Sequence, residues 1–165
     1  MLRMVSLRVS MAALLLCVAA CTTTLAPRYD QAVVDGLSGS SVQLMQLFAA
    51  LASGADKTSF TSRQRGYNRL IGRFDALAVQ ARARPMPTRR STQRASDYLA
   101  RRGLAAVDGD EPASALAMEK IARTLAKMKQ VDAKQGLSAI EVAAFKGQVL
   151  IYLDQALTYE SFLKR

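Results

Sequence analysis

Apolar residues are arranged in two ways along the chain. Met11 to Ala20 is an unbroken apolar run, whereas from Tyr29 onward apolar residues recur at steps of three and four, the spacing that turns one side of an α-helix toward a core. A first helix is predicted from Tyr29 to Ala52, with Val33, Leu37, Leu44, Leu47, Phe48 and Leu51 as its stripe and Gly54 as its stop. Asp30 is placed in its first turn, where a carboxylate suits the positive end of the helix dipole. Gly36 and Gly39 each weaken a helix by about 1 kcal/mol relative to alanine, and we read both as a tolerated weak start rather than as a close-packing notch or hinge.

A second helix spans about 61 to 84, opened by Thr61 and Gln64 as a capping-box pair. It carries Tyr67, Leu70, Ile71, Phe74, Leu77, Ala78 and Ala81 on one face and ends at Pro85-Met-Pro87. Residues 88 to 102 predict a third helix with a thin apolar face of Ala95, Tyr98 and Leu99. Asp108-Gly-Asp-Glu-Pro is a loop leading into a fourth, where Met118, Ile121, Leu125 and Met128 recur until Gly136; the methionines are expected as core filler. Ser138 and Glu141 form a second capping box. It opens the most regular stripe of the chain: Val142, Phe145, Val149, Tyr152, Ala156, Tyr159 and Leu163, a seam for packing on other helices. Phe145, Tyr152 and Tyr159 fall seven apart on it; an aromatic binding strip is the alternative to core packing. Glu160 and Lys164 are placed for an i, i+4 ion pair. Strand-like alternation is absent, so residues 29 to 165 are expected to form an all-α, up-and-down antiparallel bundle of four or five helices.

The apolar run at the N-terminus follows Arg3 and Arg8, the layout of an export signal, and its roughly ten residues fall short of the 20 or so needed to span a bilayer. Val18-Ala19-Ala20-Cys21 then resembles the lipobox of bacterial lipoproteins. That resemblance implies a signal peptide over 1 to 20, cleavage before Cys21, and a diacylglyceryl group and an N-acyl chain on Cys21, with no other cofactor. An ordinary signal peptidase would accept the same small residues and leave Cys21 as a free thiol. Thr22 stands where enteric lipoproteins retained in the inner membrane carry aspartate, so the same resemblance implies the periplasmic face of the outer membrane. Residues 21 to 28, CTTTLAPR, read as a tether extending at most about 28 Å.

Removal of the signal leaves 145 residues and no cysteine besides Cys21, which excludes an intramolecular disulfide. The chain has no histidine, so histidine triads and histidine or multi-cysteine metal sites are excluded. Without a phosphate-cradling glycine loop or a distinctive carboxylate pair either, a non-catalytic protein is expected.

The charge is +10 overall and unevenly placed. Residues 63 to 102 hold eleven arginines, two aspartates and no lysine, whereas residues 103 to 165 use six lysines and two arginines. Arg65, Arg69 and Arg73 recur every fourth residue, and Arg89 and Arg90 follow the Pro85 turn. Guanidinium groups bind phosphate and carboxylate bidentately, as lysine cannot. These five residues therefore form a candidate surface for an anionic envelope component such as a lipid headgroup, glycolipid phosphate, cell-wall acid or acidic protein; a solubilising basic face is the alternative. Nucleic acid is not an expected partner of an exported protein.

The Tyr29-Asp30 pair, the arginine-bearing helix from Arg69 to Pro85 with its Ala-x-x-x-Pro ending, and the final Lys164-Arg165 pair resemble a group of small bacterial helical lipoproteins for which no activity is known. A structural or accessory lipoprotein of a secretion, pilus or cell-wall assembly, binding through helix packing beside Leu150 and Leu157, is the alternative role.

Overall fold

A computed structural model describes residues 27–85 and 111–164. Among them are four helices: α1 (Gln31–Ala50), α2 (Phe60–Ala83), α3 (Ala113–Gln135) and α4 (Ala139–Leu163), with a 3₁₀ turn at Lys57–Ser59 before α2. Each is packed against the next, and α4 returns to α1, so the four form a ring around one core. The third helix expected over 88 to 102 lies outside the described residues.

Neighbouring helices run antiparallel, as the residues they bring together show. Arg63 near the start of α2 meets Asp132 near the end of α3, whereas Arg84, which caps the end of α2, meets Ser114 at the start of α3. The protein is thus an all-α, up-and-down helical bundle. None of the described helices is long and apolar enough to cross a membrane.

The core follows the predicted stripes. Val33, Leu37, Leu44 and Phe48 of α1 meet Tyr67, Leu70, Phe74 and Leu77 of α2, and Met118, Ile121, Leu125 and Met128 of α3 complete it with Val142, Val149, Leu153 and Ala156 of α4. Both methionines are fully buried, as core filler should be.

On α4 the buried line is Val142, Val149, Leu153, Ala156, Glu160 and Leu163, which corrects the predicted seam. Phe145, Tyr152 and Tyr159 are only half-buried. At 3.6 residues per turn the aromatics, each three residues beyond Val142, Val149 and Ala156, lie about 60° to one side of that line, whereas Leu153 and Glu160, four residues beyond Val149 and Ala156, lie only about 40° to the other and take the core positions.

The helix ends correct three further expectations. Asp30 is the cap of α1, not a first-turn residue, and accepts the Ala32 N–H at 2.9 Å. Thr61 and Gln64 do not cap α2: it begins at Phe60, after a 3₁₀ turn capped by Asp56, which accepts the Thr58 N–H at 2.8 Å. Glu160 does not pair with Lys164, because it is buried against Arg84. The Ser138–Glu141 capping box, in contrast, is present, with the Ser138 N–H donated to Glu141 at 2.8 Å.

That bond, with the Ser138 hydroxyl, holds the Glu141 carboxyl below its ordinary value of 4.5. A depressed folded pKa contributes stability above the unfolded value, which is lost as pH falls through the folded one. Glu141→Gln is therefore expected to flatten the decline of Tm below pH 4.5, measured by thermal unfolding from pH 7 to 3, while lowering Tm at pH 7.

The α1–α2 and α3–α4 turns meet at one end of the bundle. The Ala55 N–H donates to the Leu137 carbonyl at 2.7 Å, and the Leu137 N–H donates to that of Ala55 at 2.8 Å. Gly54 (φ 91°) and Gly136 (φ 81°) flank this bridge, and a Cβ on either would lie 2.5–2.6 Å from the other turn's carbonyl oxygen. Both positions thus require glycine for backbone angle and for space. Gly36 is a close-packing notch, contrary to our reading: a Cβ there would sit 2.6 Å from Leu77 Cδ2. Gly39 has open space beside it.

Candidate functional site

The six arginines of the basic segment that lie among the described residues divide into two groups that composition does not distinguish. Arg63, Arg82 and Arg84 are engaged in holding helices together. Arg63 lies part-buried and forks onto the fully buried Asp132 at 2.6 and 2.9 Å, and also donates to the Ser59 hydroxyl and the Asp56 carbonyl. Hydrogen bonding to Asp132 holds the Arg63 guanidinium in its charged form over an even wider pH range than usual. The Tyr67 hydroxyl donates to the same carboxylate at 3.1 Å; burial, and secondarily the Asp132 charge, push its pKa well above the ordinary value.

Arg84 forks onto Glu160 at 2.6 and 2.8 Å, donates to the Ser114 hydroxyl at 3.2 Å, and reaches back to the Ala81 carbonyl. This lock ties the ends of α2 and α4 to the start of α3, and every member is buried. Arg82, more exposed, pairs with Glu111 and Glu119.

Arg65, Arg69 and Arg73 make no ion pair or side-chain hydrogen bond among the described residues, and all three are exposed. The four-residue spacing of the sequence becomes a real ridge, because α2 is continuous through Gly66 and Gly72. From Arg65 to Arg73 it rises about 12 Å. Its upper end borders a shallow groove of about 410 Å³ between α1 and α2, where Arg73 lies among Gly36, Gly39, Ser40, Gln80 and Asp35. The ridge offers three exposed guanidinium groups rooted at regular spacing on one continuous helix, an arrangement able to engage several phosphates or carboxylates at once. Arg89, Arg90 and Cys21 lie outside the described residues.

Sequence reasoning missed the two buried locks, Arg63–Asp132–Tyr67 and Arg84–Glu160–Ser114. One signal was available: Glu160 continues the apolar line Val149, Leu153, Ala156 at helical spacing, and an acid on a core face needs a buried cation. The partner's identity was not available, because Arg84 and Glu160 are 76 residues apart.

A groove of about 570 Å³ runs between α3 and α4. Val131, Ala144, Phe145 and Tyr152 form its apolar part, and Arg123 and Lys127 stand on its α3 side. Phe145 and Tyr152 therefore pack against the edge of the core and line this groove with their exposed sides, whereas Tyr159 is not part of it. Among the described residues, no group of three or more carboxylates or other metal-ligating side chains converges. No protein-family model matches the chain, and neither does any curated protein or solved structure with which it was compared.

Proposed function

We propose that the protein is a non-catalytic, lipid-anchored envelope protein that presents the ridge of Arg65, Arg69 and Arg73 to an anionic component of the membrane on which it rides. The observation that carries this reading is the division of the described arginines of α2 and its cap: three are used up in pairs with other parts of the chain, and these three are exposed with no ion pair among the described residues.

The anchor supplies the second part. Cys21 behind an export signal has the lipobox pattern, and two or more acyl chains hold a protein firmly on a bilayer. The described chain begins at Pro27 and enters α1 at the end of the bundle where α2 finishes. Arg73 lies ten residues from the end of α2, about 15 Å along the axis, which is within the tether's reach of about 28 Å. Near an anionic surface each basic residue contributes about 1 kcal/mol, within a Debye length of roughly 8 Å. Thr22 favours the periplasmic face of the outer membrane.

Two measurements test this. Mass spectrometry of the mature N-terminus should find Cys21 carrying a diacylglyceryl group, and a free thiol there would defeat the anchor. A Cys21→Ser chain, which has only its surface to bind with, should associate with phosphatidylglycerol vesicles in a salt-dependent manner. Arg65→Glu/Arg69→Glu/Arg73→Glu in that background should weaken association about a hundredfold, from about 1 kcal/mol per residue. Association unchanged by reversal or by salt would reduce the ridge to a solubilising face.

A second reading draws on the outer face of α4, where Ile140, Leu150, Ile151 and Leu157 are exposed. It makes the protein an accessory lipoprotein of a larger envelope assembly, for which Leu150→Glu/Leu157→Glu would release the complex while leaving the bundle folded.

A further inference from the structure

The groove between α3 and α4 shares no residue with the arginine ridge of α2. Its two walls repeat with the same period. Lys120 and Lys127 stand seven residues apart on α3, and Tyr152 and Phe145 stand seven apart on α4 in the opposite sense, as antiparallel packing requires. The Lys120 ammonium lies 5.4 Å from the centre of the Tyr152 ring, and Lys127 and Phe145 line the groove one heptad further on. Two turns of helix thus present an apolar floor with one cation over the Tyr152 ring and a second, Lys127, on the α3 side of the groove.

The charge beside that floor is poorly balanced. Lys127 makes no ion pair among the described residues, and the Lys120 ammonium faces only a ring. Arg123 is held by Glu119, and Glu141, the acid on the groove, is occupied by Ser138 and Gln135. Phe145, Tyr152 and Val131 are each half-buried, packed against the core on one side and open to the groove on the other.

The shape selects the occupant. An open channel between two helices does not enclose a small ligand as binding pockets do. It matches a third helix laid along it, whose apolar residues return every three and four positions. Complementarity to Lys120 and Lys127 requires acids flanking that apolar stripe.

We propose that the α3–α4 groove is a docking site for an acidic amphipathic helix of a protein partner, with Phe145, Tyr152, Ala144 and Val131 receiving its apolar edge and Lys120 and Lys127 pairing its carboxylates. This site does not depend on the lipid anchor or on the arginine ridge.

The test uses the full chain in a neutral detergent and a fluorescein-labelled synthetic 21-residue helix with leucine at two positions of each heptad and glutamate beside them. Anisotropy titration should show saturable binding. Lys120→Glu/Lys127→Glu, both at exposed positions, should weaken it at least tenfold with the circular dichroism spectrum unchanged. A peptide with lysine in place of every glutamate should also bind at least tenfold more weakly, and Arg65→Glu/Arg69→Glu/Arg73→Glu should change affinity less than twofold. Equal binding by the lysine-reversed chain, equal binding of the basic peptide, or displacement of the acidic peptide by phosphatidylglycerol micelles would overturn the proposal.

Discussion

Glu160→Ala is expected to destabilise the bundle by about 3–5 kcal/mol, the cost of leaving a buried charge without its partner. In the native protein the Arg84 guanidinium donates to both oxygens of Glu160 and to Ser114, and its side chain is 6% exposed. Removing the carboxylate leaves that cation with one hydroxyl and one backbone carbonyl, in a place water does not reach. Arg84→Ala strands the carboxylate in the same way. The pair as a whole is a different matter, since the desolvation of two ions offsets most of their attraction. Arg84→Met/Glu160→Leu should therefore be near neutral or stabilising, and a double-mutant cycle by urea unfolding should give a coupling of several kcal/mol. Two single variants within 1 kcal/mol of the parent would show that the lock is solvated.

Asp132→Ala is the second large loss, also about 3–5 kcal/mol. Asp132 is fully buried and satisfies the Arg63 guanidinium and the Tyr67 hydroxyl together. Its removal leaves the buried Tyr67 hydroxyl without a partner and the Arg63 cation with only the Ser59 hydroxyl and the Asp56 carbonyl, whereas Arg82→Ala breaks pairs at an exposed site and should cost about 1 kcal/mol or less. The contrast between the two variants in urea midpoint separates a buried lock from a surface pair. Tyr67 adds a pH signature. Its folded pKa lies above the ordinary value of 10.0, chiefly through burial. A raised folded pKa contributes stability that is complete below the unfolded value and is lost as pH rises toward the folded one. Stability should thus fall above pH 10, and Tyr67→Phe should reduce that part of the fall, as thermal unfolding from pH 8 to 11 would register.

The helices were legible because their signals are local. The stripe of Met118, Ile121, Leu125 and Met128 needs only the helical period, and the Ser138–Glu141 box needs only residues three apart. The extent of α2 is legible to within one residue but its cap is not, because Thr61 and Gln64 have the right spacing while Asp56 already caps the turn that follows Gly54 and the Ala55–Leu137 bridge. The α4 stripe is right at Val142, Val149, Ala156 and Leu163 and wrong at the three aromatics, because apolar character favours Tyr159 where Glu160 holds the core position. Gly36 could not be told from Gly39 along the chain, since the difference is the nearness of Leu77 on another helix.

The candidate site was legible to the same depth. Spacing alone put Arg65, Arg69 and Arg73 on one ridge, because four residues return to nearly the same side of a helix. What spacing cannot express is which cations stay free. Arg63, Arg82 and Arg84 belong to the same basic run, yet their partners are Asp132, Glu111, Glu119 and Glu160 on other parts of the chain. The residues themselves, through period, caps and breakers, determined an all-α bundle, its helix faces and the basic character of its second helix. Only the tertiary structure decided which charges are buried, which aromatics line a groove and which arginines face solvent, because each depends on distance and desolvation between side chains far apart in the sequence.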